Sequence, residues 1–163
     1  MNRATEYAVA LGDTGLHAAL SIRNDAVTRI RLTMESRASG EMTASAVSGS
    51  VIEALRNWPD AGRAVDWLDD PAFPPIGTAF QRRVWRALCA LAVGETVSYG
   101  EVAARIGQPG AARAVGQAVN ANPWPPLVPC HRVLSAGGHL GGYALGTGIK
   151  RKLLRIEGVE LET

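Results

Sequence analysis

The sequence predicts an α+β fold, in which a small strand-rich N-terminal part is followed by a mainly helical C-terminal part. Short runs of alternating apolar residues mark strands within residues 5–33, whereas the segments after residue 76 have the apolar spacing of helices. Between the two patterns, residues 69–77 contain three prolines and a glycine, which is typical of a boundary. We therefore predict a strand-rich support domain over residues 1–75 and a helical domain over residues 76–163.

The N-terminal part is predicted to hold an antiparallel meander and one helix. Three apolar-rich segments separated by turn residues form the meander. These segments are residues 7–11, 16–22 and 27–32. Residues 35–49 are small and polar, which predicts a loop. Residues 51–58 have apolar positions three and four apart and stop at Pro59, so we predict a helix there.

Four helices are predicted in the C-terminal part. Two begin with capping boxes, Thr78 with Gln81 and Ser98 with Glu101, in which paired side chains satisfy free N–H groups. The four helices cover residues 78–91, 98–106, 111–120 and 150–157, and the last is expected to face Leu153, Leu154 and Ile156 inward. Because a tight GQPG turn separates the second helix from the third, these two form a helix-turn-helix.

The third of these helices is slim, since most of its residues other than Arg113 and Gln117 are small. A slim helix suits a DNA groove, although an Ala- and Gly-rich helix also suits tight packing in an ordinary core. The distribution of charged residues along the chain helps to decide between these two environments. Residues 1–75 carry seven basic and ten acidic residues, whereas residues 76–163 carry ten and five. The basic half fits a polyanionic partner, and the acidic half does not.

Composition excludes several classes of protein. No run of 18 apolar residues occurs in the 163-residue chain, so we expect no membrane helix. The N-terminus lacks the basic and apolar regions of a secretory signal, and we therefore expect a cytoplasmic protein. Cys89 and Cys130 are too few for a disulfide scaffold or a four-cysteine zinc site, and the three histidines lack metal-ligand spacing. We expect no metal site.

Cys130 is the candidate nucleophile. It follows a segment with four prolines, residues 123–129, which predicts a stiff, extended chain. His131 and Arg132 beside it would favour the nucleophilic thiolate. In an extended chain His131 would point away from the sulfur and act through water, with Glu157 as the best carboxylate to orient it. The alternative is that Cys130 is a small buried apolar residue.

Five motifs in register resemble the O6-alkylguanine-DNA alkyltransferase family. They cover residues 78–160 and read FQRRVWRAL, GETVSYGEVAARIG, AARAVGQAVNANP, NPWPPLVPCHRVL and LLRIEG. Residues 1–75 resemble the family only in being strand-rich. The resemblance implies a winged-helix-like C-terminal domain. It further implies a repair protein that transfers an alkyl group from guanine O6, and often thymine O4, in duplex DNA to Cys130, once per molecule and without a cofactor.

The resemblance also implies the residues that carry the chemistry. Cys130 would accept the alkyl group, His131 would act as a base through water, and Glu157 would polarise His131. Asn122 would tie the third helix to the active-site segment. Tyr99 would donate a proton to the departing guanine and help to rotate the nucleotide out of the duplex.

A second implied set would contact DNA or the flipped base. Arg113 would enter the base stack in place of the flipped nucleotide. The others, assigned to DNA or substrate binding, are Ala112, Val119, Val133, Tyr143 and Ala144. Family members often have serine where Ala144 stands, so a hydroxyl is absent here. Binding through the minor groove is implied. We expect a monomer that is nucleoid-associated when bound to DNA, and cooperative assembly is left open.

Three other functions remain open on the residues alone: a lesion-binding module without transfer, a hydrolase using Cys130 and His131, and a redox sensor pairing Cys89 with Cys130. The presence of Cys130 argues against the first, and the apolar helix around Cys89 argues against the last. Trp124, which lies between prolines, is a candidate for exposure and a DNA contact. The basic residues expected to meet phosphate or solvent are Arg82, Arg83, Arg86, Lys150, Arg151 and Lys152.

Overall fold

The computed structural model describes residues 5–34, 49–59 and 66–161, and within them the chain forms two small sheets and five α-helices. The N-terminal elements are β1 (Thr5–Ala10), β2 (His17–Arg23), β3 (Ala26–Thr33) and α1 (Gly49–Arg56). The C-terminal elements are α2 (Ala79–Cys89), β4 (Val97–Ser98), α3 (Tyr99–Arg105), α4 (Ala112–Asn120), β5 (Val133–Leu134) and α5 (Thr147–Ile156). None of the described helices is long and apolar enough to cross a membrane. The α+β prediction is confirmed.

The first three strands form the predicted antiparallel meander, in the order β1-β2-β3. Tyr7 pairs with Leu20, which in turn pairs with Ile30. Along β3 the buried Ile30 alternates with the exposed Arg29 and Arg31, so the two faces of the strand are chemically distinct. The predicted loop over 35–49 falls on residues outside the described part, except for Gly49, which begins α1.

Both capping boxes form as predicted. The Thr78 hydroxyl accepts from the Gln81 N–H at 3.1 Å, and the Gln81 side chain accepts from the Thr78 N–H at 2.9 Å. Ser98 and Glu101 repeat the pattern at 3.1 and 2.7 Å. These boxes fix where α2 and α3 begin, and the turn after α3 leads into α4 to complete the helix-turn-helix.

The last helix differs from the prediction in where it begins and in which residues it buries. It begins at Thr147 rather than residue 150, and Ile156 is 39% exposed rather than buried. The inward face is formed by Lys150, Leu153, Leu154 and Glu157, whose spacing of i, i+3, i+4 and i+7 defines one side of a helix. Ile156 lies outside this stripe, which explains its exposure.

Trp124 joins the N-terminal and C-terminal parts. The prediction that it is exposed is wrong, because its side chain is fully buried and its indole N–H donates to the Val27 carbonyl at 2.8 Å. Its ring centroid lies 5.0 Å from that of Phe73 and 5.8 Å from that of Trp85. Buried residues from both sides of residue 75 form one continuous apolar cluster. The division into two domains at that residue stays a prediction.

The Trp124 hydrogen bond gives a stability prediction. Trp124→Phe keeps most of the ring but removes the donor, which leaves the buried Val27 carbonyl unpaired. We expect the free energy of unfolding to fall by about 1–2 kcal/mol. Urea denaturation followed by fluorescence and circular dichroism measures this change. An unchanged unfolding midpoint would mean that the bond contributes nothing to joining the two parts.

Candidate active site

Cys130 opens a single 3-10 turn, Cys130–Arg132, between Pro129 and β5. Its backbone N–H donates to the Val128 carbonyl at 2.8 Å. The prediction that this segment is fully extended is therefore wrong. The proline-rich segment before it turns as well, since the Val128 N–H donates to the Trp124 carbonyl at 3.0 Å. Proline fixes its own φ but is compatible with turns, so four prolines do not require an extended chain. Through the parallel pairing of Val97 with Val133, β5 places the turn beside the start of α3.

The Cys130 thiol is buried among polar groups. The residue is 5% exposed, and its Sγ lies 3.7 Å from the Tyr143 hydroxyl oxygen. Burial raises the pKa of the thiol, while hydrogen bonds with Asn122 and Tyr143 and the charge of Lys150 act in the opposite direction. The expectation that neighbouring charges acidify this thiol is wrong, because burial dominates. The thiol consequently needs a base to become a nucleophile.

His131 has the geometry of a neutral base. Its side chain is fully buried, and Nε2 lies 2.9 Å from Oε1 of Glu157. Burial lowers the pKa of His131 although Glu157 acts to raise it, so we assign a neutral imidazole. Its Nε2–H then donates to the carboxylate, which leaves Nδ1 as the acceptor. Among the described residues Nδ1 has no hydrogen-bond partner, so it is free to take a proton.

Glu157 is held ionised by a second partner, Arg132. Arg132 Nη2 and Nε lie 2.7 and 3.0 Å from the carboxylate oxygens, and Nη1 donates to the Leu91 carbonyl at 2.7 Å. Burial raises the pKa of Glu157, but hydrogen bonds from His131 and Arg132 bring it down to about 2. His131, Arg132 and Glu157 thus form a buried triad in which the carboxylate serves both partners.

Asn122 fastens the end of α4 to the proline-rich segment. Its side-chain N–H donates to the Val128 carbonyl at 2.8 Å, and its side-chain oxygen accepts from the Trp124 N–H at 3.0 Å. Both bonds hold the backbone that leads to Cys130. These contacts fit the tethering role expected of Asn122.

A cavity of about 280 Å³ opens onto Cys130. Part of its lining comes from α4 and the residues after it, including Val119 and Asn122. Another part comes from the glycine-rich loop, where Tyr143 and Ala144 lie, and a third comes from β3. Burial raises the pKa of the Tyr143 hydroxyl well above its usual range, so this group remains a neutral hydrogen-bond partner.

The other predicted residues lie on the helix-turn-helix or in the core. Tyr99 opens α3, is half-buried and lies beside Gly116 of α4. Burial raises the pKa of its hydroxyl, which keeps the proton available for donation. Arg113 is exposed in the first turn of α4, next to the half-buried Ala112. Val133 is fully buried in the core behind Cys130.

Sequence reasoning missed Lys150. It was expected to meet phosphate or solvent, but the residue is only 1% exposed. Its Nζ donates to the Gly142 carbonyl at 3.3 Å and lies 5.8 Å from the centroid of the Tyr143 ring. Burial lowers its pKa to about 8. The signal that would have found it is its place in the inward stripe with Leu153 and Glu157.

Three further expectations concern Cys89, Arg86 and metal ligands. Cys89 is buried on α2, as predicted, and burial raises the pKa of its thiol to about 12, which disfavours a redox pair with Cys130. Arg86 is used in ion pairs with Asp66 and Asp69 and is not simply solvated. In the described part of the chain, no three His, Cys, Asp or Glu side chains cluster as metal ligands would.

The buried carboxylate predicts sensitivity to acid. The pKa of Glu157 is about 2 in the fold against an ordinary 4.5, so its stabilisation is complete above pH 4.5 and is lost as pH falls to 2. This difference corresponds to about 3 kcal/mol. His131, whose folded pKa lies below 6.5, adds a loss that begins as pH falls below 6.5. Urea denaturation at about pH 7, 5 and 3 should give progressively lower stability, and a flat profile would contradict this assignment.

Comparison with known proteins gives a consistent result. Residues 79–159 match the profile described as the 6-O-methylguanine DNA methyltransferase DNA-binding domain. The chain is 54% identical over 88 residues to the methylated-DNA–protein-cysteine methyltransferase of Methanosarcina mazei, covering 54% of this chain and 56% of the relative. It is 58% identical over 81 residues to the Mycobacterium tuberculosis protein of the same name, covering 50% and 49%. These alignments span about half the length of the curated relatives.

Solved structures resemble the chain over nearly its whole length. A Mycobacterium tuberculosis OGT in complex with DNA aligns at a TM-score of 0.65 and 34% identity, covering 93% of each chain. The O6-methylguanine-DNA methyltransferase of Pyrococcus kodakaraensis aligns at a TM-score of 0.72 and 23% identity, covering 96% of this chain and 99% of that one, which bears on the fold alone.

Proposed function

Because this chain belongs to the 6-O-methylguanine DNA methyltransferase family, we propose that it repairs DNA by transferring the alkyl group of O6-alkylguanine irreversibly to Cys130. The observation that carries the proposal is the buried Cys130 thiol, which faces a cavity and adjoins the His131–Glu157 pair. No cofactor is needed, because Cys130 itself accepts the alkyl group and the restored guanine is the leaving group. The same pocket chemistry would also accept O4-alkylthymine.

The first step is deprotonation of the thiol. No direct hydrogen bond joins Cys130 to the ring of His131, whose Nε2 is bonded to Glu157. The thiol proton therefore passes through a water molecule to Nδ1 of His131, and Glu157 stabilises the imidazolium that results. Burial of the thiol makes this step necessary, because the pKa of Cys130 is raised.

The second step is transfer of the alkyl group. The thiolate attacks the alkyl carbon, so the S–C bond forms as the C–O6 bond breaks and the bonding electrons pass to the guanine. Tyr99 donates its hydroxyl proton to the purine ring, which leaves as neutral guanine, and the proton held by His131 then restores the Tyr99 hydroxyl. Because the product is a stable thioether, each molecule reacts once.

The DNA is bound through the helix-turn-helix in the minor groove. A base inside a duplex hides its O6 atom, so the nucleotide is flipped out at a cost of a few kcal/mol. Arg113, exposed on the first turn of α4, enters the stack and offsets part of that cost. Ala112 beside it has a small side chain, which lets α4 approach the groove closely. Val119 lines the pocket for the flipped base. The protein acts as a monomer in the cytoplasm, at the nucleoid when bound to DNA.

Stoichiometry tests the proposal. Protein at increasing ratios to a duplex with one O6-methylguanine should restore guanine in amounts equal to the protein added, and then stop. Analysis of the DNA nucleosides measures the product directly. Continued turnover beyond one equivalent would contradict a thioether end product and would favour a hydrolase.

We propose a positioning role for Lys150. Its ammonium group donates a hydrogen bond to the Gly142 carbonyl and lies near the face of the Tyr143 ring, which is next to Cys130. Lys150→Met should slow transfer about tenfold at neutral pH and move the pH profile of Cys130 reactivity upward, since it removes a charge that favours the thiolate. Lys150→Arg should restore part of both effects, and Lys152→Met is the matched control. A slower rate with an unmoved pH profile would contradict an electrostatic role.

A further inference from the structure

The N-terminal sheet contributes to the pocket that holds Cys130. Arg29, Ile30 and Arg31 of β3 line the cavity together with Tyr143 and Cys130, although about 100 residues separate β3 from Cys130 along the sequence. The sequence assigned the N-terminal part a supporting role only. Its edge strand instead forms one wall of the candidate site.

The two arginines differ in how they are partnered. Arg31 Nη2 donates to Glu6 Oε1 at 2.9 Å, so its charge is partly neutralised. Arg29 is exposed and has no hydrogen bond or ion pair with any residue in the described part of the chain. None of the described residues that line the cavity is Asp or Glu. This wall of the pocket therefore carries positive charge that no acidic lining residue offsets.

The backbone of β3 at Arg29 is connected to the active-site segment. β3 is an edge strand, and the Ile30 N–H donates to the Pro123 carbonyl at 2.8 Å. Pro123 begins the segment that leads to Cys130, and Asn122 beside it is bonded to Val128. A continuous set of hydrogen bonds thus connects the strand that carries Arg29 to the active-site segment.

We propose that Arg29 binds an anionic oxygen group of the alkylated DNA substrate, so that the N-terminal sheet takes part in substrate recognition. This inference rests on the proposed function. The anionic oxygen has two possible sources in this substrate, a backbone phosphate near the lesion or a carboxylate carried by the alkyl group itself. A guanidinium recognises both in the same way.

The simplest anionic alkyl group is carboxymethyl. In its transfer the thiolate of Cys130 attacks the methylene carbon, the S–C bond forms, the C–O6 bond breaks and its electrons pass to guanine, which takes up one proton. The product is S-carboxymethylcysteine, and the protein gains about 58 Da. No other reactant is required.

The test compares Arg29→Gln with Arg23→Gln. Arg23 is also exposed on the N-terminal sheet but does not line the cavity, so the two variants change net charge equally. Single-turnover transfer from duplexes with O6-methylguanine and O6-carboxymethylguanine is measured for each protein, together with the affinity for DNA at several salt concentrations. Thermal unfolding checks that both variants fold.

The outcomes separate the two sources. If a phosphate is bound, Arg29→Gln should weaken DNA binding about fivefold for both duplexes and reduce the salt dependence by about one charge. If the adduct carboxylate is bound, only transfer from O6-carboxymethylguanine should slow, by about fivefold. If Arg29→Gln gives the same result as Arg23→Gln in every measurement, the inference is overturned. Failure of the unmodified protein to react with either duplex would overturn the proposed function instead.

Discussion

Cys130→Ser is expected to abolish alkyl transfer and leave DNA binding within about twofold of the unmodified protein. The serine hydroxyl is far less acidic than a thiol and far less nucleophilic at carbon, so the rate should fall by about a thousandfold or more. The substitution changes little else, because serine is similar in size and the Asn122 and Tyr143 groups near the thiol can bond to a hydroxyl. Single-turnover transfer and a DNA-binding titration measure the two properties separately.

Cys89→Ser is the matched control, since it removes the other thiol. Cys89 is buried on α2 and lies outside the cavity that opens onto Cys130. Its replacement should retain full transfer, although burying a hydroxyl there costs some stability. Transfer by Cys130→Ser, or loss of transfer in a folded Cys89→Ser protein, would contradict the assignment of the nucleophile. If Cys130→Ser does not fold, the role assigned to this residue is undermined.

Glu157→Gln is expected to have the second largest effect, on both stability and rate. The glutamine leaves the Arg132 guanidinium, whose side chain is 8% exposed, as a buried charge without its counterion. Breaking a buried pair in this way should lower the free energy of unfolding by about 3 kcal/mol. The transfer rate should also fall about tenfold or more, because the imidazolium of His131 loses the carboxylate that stabilises it.

Glu160→Gln provides the control for Glu157→Gln. It makes the same change in net charge three residues further along, at an exposed position. Urea denaturation gives the stability of each variant, and transfer is then measured under conditions in which circular dichroism shows both to be folded. If Glu157→Gln has the stability and rate of Glu160→Gln, the triad of His131, Arg132 and Glu157 has no role in either property.

Elements set by local sequence were predicted well. The capping boxes at Thr78 and Ser98 involve residues three apart, so their hydrogen bonds depend on little beyond the helix itself. The meander of β1, β2 and β3 is likewise specified by apolar alternation and short turns. The pairing of His131 with Glu157 was anticipated because few acids follow Cys130 in the sequence.

The features that sequence reasoning missed depend on contacts between distant segments. Trp124 is buried because Val27, 97 residues away, accepts its N–H and because Phe73 and Trp85 pack against its ring. The thiol of Cys130 has a raised pKa because the fold buries it, which the adjacent charged residues did not indicate. The arginine-bearing wall of the pocket comes from β3, and no local pattern connects that strand to the nucleophile.

The central claim is that Cys130 accepts an alkyl group from DNA, and the mass of the intact protein tests it most directly. After mixing with a duplex that contains one O6-methylguanine, we expect a gain of about 14 Da, limited to one per molecule and located on the peptide that contains Cys130. No gain in mass while the duplex remains bound would contradict alkyl transfer and would identify a lesion-binding protein instead.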